Sequence, residues 1–215
     1  MAAQLVFQPN QTVLFQGDSI TDCQRDREQP DSLGNGYAMM AASRLAVLLP
    51  DHFLKCLNRG ISGNRVKDLQ NRWDRDCLDL KPDWVSILIG ANDVWRRYDS
   101  NDPTSTEAYL EGYRALLKET VTRLSPDTGL ILGEPFVLPT PPDRETWRED
   151  LDPKIQAVRQ LAREFRALYV PFDGLFAAAA CRREPAFWAP DGVHPSQAGH
   201  ALMAEAWLRA TGCLG

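Results

Sequence analysis

The chain has 215 residues, of which 44% are hydrophobic and 25% are charged, and its formal net charge at pH 7 is −5. This balance is typical of a globular protein with a packed core, and the length predicts a single domain over residues 1–215. Acidic and basic residues are interspersed, which argues against a nucleic-acid-binding protein, because such proteins normally carry a basic patch.

Residues 1–8 lack the basic and apolar segments of a signal peptide, and no stretch approaches the ~20 apolar residues of a membrane helix. The five cysteines are scattered and contain no C-x-x-C pair, so neither a disulfide framework nor a zinc site is predicted. Free thiols suit a reducing compartment. We therefore expect a soluble cytoplasmic protein with no metal, no cofactor and no membrane partner.

Apolar runs bounded by Gly, Pro, Asn or Asp alternate along the chain with segments of helical spacing. In chain order the predictions are strand Thr12–Phe15, helix Tyr37–Leu49, strand Leu54–Leu57, helix Val66–Leu80, strand Trp84–Ile89, helix Glu107–Leu124, strand Leu130–Leu132, helix Pro153–Ala167, strand Ala167–Phe172 and helix Pro195–Arg209. This alternation predicts an α/β fold in which five parallel strands lie between layers of helices.

The stretch Glu134–Asp152 interrupts the alternation with four prolines and many charged residues. It is long for a connection within a compact domain. Two interpretations stay open, a lid or binding loop and a solvated surface excursion.

Four polar or glycine-rich clusters follow predicted strands or lie just before the last helix. They are Gly17-Asp18-Ser19, residues 58–64, Gly90-Ala91-Asn92-Asp93 and Asp191-Gly192-Val193-His194. In open parallel α/β sheets, ligands bind beyond the carboxyl ends of the strands. We therefore expect the four clusters to converge on one edge of the sheet.

A serine hydroxyl at this edge needs a base to become a nucleophile, and histidine suits that role at neutral pH. His52 precedes the second strand and lies at the opposite end of the sheet, and His200 lies inside the last helix, where a buried structural role is favoured. His194 lies in a loop three residues after Asp191, which allows the carboxylate to fix the imidazole tautomer. Taken alone, this pair is weak evidence for catalysis and favours a plain helix-capping loop.

Acyl transfer also needs donors for an oxyanion, and the backbone N–H groups of Ser19 and Gly63 with the Asn92 carboxamide are candidates. Each has an ordinary structural alternative: a helix N-cap, a tight turn and an Asx turn, respectively. Their joint occurrence at successive strand ends favours the catalytic interpretation.

The same blocks resemble those of the GDSL/SGNH hydrolase family, in the family's order and across nearly the whole chain. The matching residues are Gly17-Asp18-Ser19-Ile20, Gly63, Gly90-x-Asn92-Asp93 and Asp191-x-x-His194. The resemblance implies a flavodoxin-like three-layer α/β/α fold. It also implies Ser19 as nucleophile, His194 as base and Asp191 as its orienter, with an oxyanion hole formed by Ser19, Gly63 and Asn92. The absence of a G-x-S-x-G elbow disfavours the α/β-hydrolase family.

Longer blocks are similar to those of intracellular acetylxylan esterases and xylo-oligosaccharide deacetylases of this family. They are residues 17–23, 58–64, 82–87 and 92–96, and His194-Pro195-Ser196-x-x-Gly199-His200. The likeness implies acetylated small sugars as substrates and assembly into homo-oligomers. The alternatives are a lysophospholipase, thioesterase or lipid acetylhydrolase of the same family, and a noncatalytic carbohydrate-binding module.

Three further residues are candidates for substrate binding. Trp95 and Trp188 are placed to form an aromatic wall, with burial in the core as the alternative, and Asp18 adjoins the nucleophile. Four arginines near the motif ends would order polar substrate groups or form a solvated rim: Arg25, Arg27, Arg96 and Arg97. No long apolar lid is visible, which favours a small acyl group on a polar alcohol.

Overall fold

A five-stranded parallel sheet forms the centre of the computed structural model, which describes residues 5–125 and 127–215. The strands are β1 (Thr12–Gly17), β2 (Lys55–Asn58), β3 (Trp84–Leu88), β4 (Gly129–Gly133) and β5 (Leu168–Val170). Their order is β2-β1-β3-β4-β5, and every pairing is parallel. This is the flavodoxin-like order, so the predicted fold class is confirmed.

The helices cover both faces of the sheet. They are α1 (Ser19–Asp22), α2 (Tyr37–Leu48), α3 (Val66–Gln70), α4 (Trp73–Asp76), α5 (Ala91–Asp99), α6 (Thr106–Arg123), α7 (Arg148–Glu164), α8 (Phe172–Ala180), α9 (Pro185–Trp188) and α10 (Gln197–Ala210). Short 3₁₀ turns cover Pro50–His52, Leu78–Leu80 and Pro142–Trp147. Within the described ranges, none of the helices combines the length and the apolar character needed to cross a membrane.

Successive strand residues point to opposite faces and divide the core into two clusters. Val13 and Phe15 of β1 belong to a first core cluster together with buried residues of α2, α8 and α10. Leu14 belongs to a second core cluster with buried residues of α3, α4, α6 and α7. Because both faces are covered, the central strands β1, β3 and β4 are largely buried and mostly apolar, and the shorter edge strands β2 and β5 also contain apolar residues, so the sequence predicted all five.

The prediction of one helix over Val66–Leu80 was wrong, because the segment forms α3, α4 and a 3₁₀ turn. The break lies at Arg72, whose guanidinium turns into the protein rather than outward. It donates hydrogen bonds to Gln16 Oε1 at 3.0 Å, to Asp76 Oδ2 at 3.1 Å and to the Gly17 carbonyl at 3.3 Å. These bonds beneath β1 compensate the lost helical ones.

The start predicted for the fourth helix was also wrong. Helix α7 begins at Arg148, and Pro153 lies inside it. The proline removes one backbone hydrogen bond, but Leu151 and the preceding Trp147 are buried and anchor the first turns. Helices α5 and α8 were not predicted at all. Helix α5 is short and rich in polar residues, although its apolar residues Ala91, Val94, Trp95 and Tyr98 recur at helical spacing and could have revealed it. Helix α8 is rich in alanine and shows no clear apolar period.

Candidate active site

The four clusters meet at the carboxyl edge of the sheet, each held by the end of an element. Ser19 is the first residue of α1, directly after β1, and Asn92 is the second residue of α5, after β3. Gly63 lies in the turn that follows β2. Asp22 ties two clusters together, because its Oδ2 accepts a hydrogen bond from the Ser62 N–H at 3.0 Å.

Ser19, His194 and Asp191 form a continuous hydrogen-bonded chain. The Ser19 Oγ lies 2.9 Å from His194 Nε2, and His194 Nδ1 lies 2.7 Å from Asp191 Oδ2. An ionised carboxylate only accepts hydrogen bonds, so Nδ1 carries the proton and donates it to Asp191. The lone pair of Nε2 therefore faces the serine hydroxyl, which is the arrangement that general-base catalysis requires.

The loop around Asp191 is folded onto its own carboxylate. Asp191 Oδ1 accepts hydrogen bonds from the N–H groups of Val193 at 3.0 Å and His194 at 2.7 Å. Gly192 has a φ of 83°, and a Cβ there would lie 2.3 Å from the Thr140 carbonyl oxygen. Only glycine fits that turn, which brings the carboxylate under the imidazole.

The electrostatics of the pair favour an ionised acid and a basic imidazole. Partial burial raises the pKa of Asp191. Hydrogen bonds from the His194 ring and from the His194 and Val193 N–H groups outweigh this effect and hold the pKa well below its usual range. The hydrogen bond to Asp191 raises the pKa of His194 above 6.5, against the opposing effect of burial. The negative charges of Asp191 and Asp18 act in the same direction.

The three candidate oxyanion donors lie on the same edge. Ser19 opens its helix, so its N–H has no intrahelical acceptor, and the Gly63 N–H donates to none of the described residues. Gly63 has a φ of 82°, a conformation that favours glycine. The Asn92 carboxamide donates one N–H to the Asn64 carbonyl at 3.2 Å, which leaves its second N–H for a ligand.

Asp18 is placed differently from the substrate-binding role predicted for it. Its side chain is 1% exposed, so no carboxylate surface remains for a substrate to contact. Oδ1 instead caps α1 by accepting from the Ile20 N–H at 3.0 Å, and Oδ2 is buried with no hydrogen-bond partner among the described residues. Burial raises the pKa of Asp18 to about 7, although the Ile20 N–H and the charge of His194 lower it.

The two predicted wall tryptophans lie in different places. The indole of Trp95 is 5.8 Å from the His194 ring between centroids, at the edge of the catalytic chain. Trp188 donates its indole N–H to the Ala179 carbonyl at 3.1 Å and packs against the first core cluster. Neither Trp95 nor Trp188 is among the described residues that line the pocket holding Ser19 and His194.

The other two histidines stand outside the catalytic chain. His52 lies in the 3₁₀ turn before β2, at the amino end of that strand. His200 is buried in α10, where its Nδ1 accepts from the Tyr37 N–H at 3.1 Å and its Nε2 lies 3.4 Å from the Cys23 Sγ. Burial lowers the pKa of His200 to about 4, so the imidazole is neutral at pH 7.

A pocket of about 430 Å³ opens in front of Ser19 and His194. Its lining includes Asp22, Arg25 and Arg27, beside apolar groups such as Ile20. Two of the four candidate arginines thus lie at the pocket, and Arg27 is paired with Asp22 at 2.6 Å. A pocket of this size with a charged rim suits a small substrate that carries polar groups.

Sequence reasoning missed Arg144, which lies in the 3₁₀ turn within the stretch Glu134–Asp152. Its Nε donates to the Asp191 carbonyl at 3.4 Å, and its guanidinium carbon lies 5.4 Å from the Trp95 ring centroid. The stretch is therefore not a solvated excursion, since it also contributes the buried side chains of residues 136–138. The contact joins residues 47 positions apart, and no local pattern predicts it.

Comparisons with known proteins agree with this geometry. Residues 15–202 match the GDSL-like lipase/acylhydrolase family. An acetylxylan esterase from Geobacillus stearothermophilus is 40% identical over 205 residues, which cover 93% of each chain. A crystal structure of the acetylxylan esterase Axe2 from that organism superposes with a TM-score of 0.86 at 38% identity, covering 95% of both chains. A structure from Parabacteroides merdae, described as a GDSL-like lipase, superposes with a TM-score of 0.93 at 39% identity and covers 98% of this chain and 100% of its own.

The catalytic mutants among the Axe2 structures replace a serine, an aspartate and a histidine with alanine. These are the three residue types that form the hydrogen-bonded chain described above.

Proposed function

The chain belongs to the GDSL-like lipase/acylhydrolase family and is a carboxylic ester hydrolase, and from this premise we propose that it removes acetyl groups from small sugars such as xylo-oligosaccharides through an acyl-enzyme on Ser19. The observation that carries the proposal is the hydrogen-bonded chain from Ser19 through His194 to Asp191. The acetylxylan esterase relative supports the choice of substrate.

In the first half-reaction, His194 Nε2 takes the proton from Ser19 as Oγ attacks the ester carbonyl. The carbonyl oxygen becomes an oxyanion, which accepts hydrogen bonds from the Ser19 and Gly63 N–H groups and from Asn92. The imidazolium is stabilised by Asp191 and returns the proton to the leaving sugar oxygen. The acyl group is then bound to Ser19 as an ester.

In the second half-reaction, water replaces the sugar. His194 takes a proton from the water, whose oxygen attacks the acyl carbonyl, and the same donors bind the second oxyanion. The proton returns to Ser19 Oγ as the acid is released, so the enzyme is restored and one water is consumed for each ester.

The lining of the pocket supports a small acyl group on a polar alcohol. Asp22, Arg25 and Arg27 place charges where the alcohol portion of the substrate would lie. Hydroxyl groups of a sugar hydrogen-bond to such side chains, whereas a long acyl chain would remove water from them without adding hydrogen bonds.

The test is a panel of aryl esters of increasing acyl length together with acetylated xylo-oligosaccharides. We expect acetyl esters to give the highest kcat/KM and acetylated sugars to release acetate. A preference for chains longer than butyrate would overturn the proposed substrate and favour a lysophospholipase, thioesterase or lipid acetylhydrolase of the same family. If no ester is hydrolysed, the result would favour the noncatalytic carbohydrate-binding module instead.

The residue assignment is tested with Ser19→Ala, using Ser43→Ala on the exposed face of α2 as the matched control. We expect Ser19→Ala to lower kcat by at least about 10⁴-fold, as removal of a nucleophile does in serine hydrolases, with an unchanged circular dichroism spectrum. Ser43→Ala keeps wild-type activity. Wild-type turnover in Ser19→Ala would remove Ser19 from the mechanism.

A further inference from the structure

The Arg144 guanidinium packs against two indole rings. Its guanidinium carbon is 4.1 Å from the ring centroid of Trp147 and 5.4 Å from that of Trp95. These distances are typical of cation–π stacking, in which a planar guanidinium lies on an indole. The Arg144 side chain is 16% exposed, so the stack is largely removed from water.

The same side chain reaches the loop that carries Asp191. Its Nε donates a long hydrogen bond to the Asp191 carbonyl at 3.4 Å. The loop is fixed from the same side by the Leu138 N–H, which donates to the Gly192 carbonyl at 2.8 Å. The segment from Leu138 to Arg144 therefore braces the Asp191 loop at two consecutive carbonyls.

Trp95 connects this brace to the imidazole. One neighbour of its ring is Arg144, and another is the His194 ring, at 5.8 Å between centroids. Trp147 is 5.6 Å from Trp95 and lies behind the stack. Arg144 thus contacts both the Asp191 backbone and the indole beside His194.

We propose that Arg144 is a positioning residue for ester hydrolysis, holding the Asp191 loop and the Trp95 indole so that the carboxylate and the imidazole keep their hydrogen bond. The proposal rests on the roles assigned above to Asp191 and His194. Arg144 acts through these residues rather than on the substrate, because its guanidinium is stacked and paired with Asp143 at 2.6 Å.

The first test is Arg144→Met, which keeps the length of the side chain but removes the planar cation and its donors. We expect kcat to fall by about 10-fold with KM nearly unchanged, since small misplacements of catalytic groups are costly. Arg183→Met is the matched control, because Arg183 forms a cation–π pair with Phe187 at 4.7 Å and makes no hydrogen bond to Asp191 among the described residues. The control keeps wild-type kcat.

Arg144→Lys separates the effect of the guanidinium geometry from the effect of the positive charge. Lysine keeps the positive charge but neither stacks flat nor donates sideways from a fixed fork. We expect most of the loss in kcat to remain in Arg144→Lys. Full activity in Arg144→Lys would overturn the proposed positioning role of Arg144. The lysine variant also provides a second measurement if Arg144→Met folds poorly.

A double-mutant cycle with Asp191→Ala closes the test. If Arg144 acts through the carboxylate, Arg144→Met causes no further loss of kcat once Asp191→Ala has removed it. A second, additive loss, or an effect confined to KM, would overturn the proposal and indicate direct substrate contact. Wild-type kcat in Asp191→Ala would instead contradict the proposed catalytic chain. Wild-type kcat in Arg144→Met alone would contradict only the positioning role of Arg144.

Discussion

The Asp18 carboxylate acts electrostatically on His194, the proposed catalytic base. It is buried next to Ser19, and its ionised form raises the pKa of His194. The groups that face it oppose each other, since His194 favours the ionised carboxylate and Asp93 disfavours it. Asp93 is itself buried, and burial raises its pKa to about 6.

This arrangement predicts the pH dependence of activity. The imidazole accepts the Ser19 proton only when neutral, so kcat/KM falls on the acid side with a midpoint above pH 6.5, the direction in which the pKa of His194 is shifted. Asp18→Asn removes the charge but keeps an oxygen for the α1 cap, so the midpoint moves to lower pH. The measurement is kcat/KM against pH, with exposed Asp51→Asn as the control. An unchanged or higher midpoint in Asp18→Asn would contradict the coupling.

Asn92 is the one candidate oxyanion donor that a side-chain substitution can remove. Asn92→Ala deletes the N–H left free beside the Asn64 carbonyl, and we expect kcat to fall by roughly 10²–10³-fold with little change in KM. Steady-state kinetics on an aryl acetate provide the measurement, with exposed Asn71→Ala as the control. A change in KM alone would assign Asn92 to substrate binding instead.

At the scale of elements, the sequence predicted what local patterns determine and missed what tertiary contacts determine. All five strands were found because each contains an apolar run bounded by turn residues, although the edge strands β2 and β5 are only partly buried. The prediction of one helix over Val66–Leu80 was wrong because Arg72 donates hydrogen bonds to Gln16 and Gly17, which lie more than 50 residues earlier. Asp191 and His194 carry a recognisable spacing, whereas Arg144 meets Asp191 through a long-range fold contact that has no local signal.

Helices α2 and α10 are joined by a side chain that replaces a cap. The N-cap of α2 is Gly36, which has no side chain to accept a hydrogen bond, and His200 of α10 accepts from the Tyr37 N–H instead. An acceptor at Nδ1 must be unprotonated, so this contact and the burial of His200 both require the neutral imidazole.

His200 therefore makes stability depend on pH. Its pKa is about 4 in the folded protein against 6.5 for an exposed histidine, so its contribution is full above pH 6.5 and is lost as the pH falls towards 4. The loss amounts to about 3 kcal/mol over that range. We expect urea unfolding of wild type and His200→Gln to give free-energy differences that shrink by this amount between pH 6.5 and 4. Parallel curves for the two proteins would contradict the assignment.

For the whole molecule, the sheet is the frame that unites the site. Ser19, Gly63 and Asn92 follow three different strands, and His194 precedes the last helix, so their geometry depends on packing on both faces of the sheet. Alternate residues of β1 belong to the first and second core clusters, which share the strand backbone. We therefore propose that the chain unfolds as one cooperative unit.

A substitution in one core cluster tests whether the two faces of the sheet unfold together. Leu161 is 0% exposed in the second core cluster, which also contains the buried Trp73, whereas Trp147 and Trp207 lie in the first, so tryptophan fluorescence reports both faces. Leu161→Ala is expected to cost about 2–5 kcal/mol through lost burial and the cavity it leaves.

Because the faces share the sheet, the urea midpoints of tryptophan fluorescence and of esterase activity should fall together and by the same amount. Val47→Ala, at an exposed position of α2, leaves both midpoints unchanged. A fluorescence transition in two phases in Leu161→Ala, with activity retained after the first phase, would show that the faces unfold independently and that the site depends on the first cluster alone.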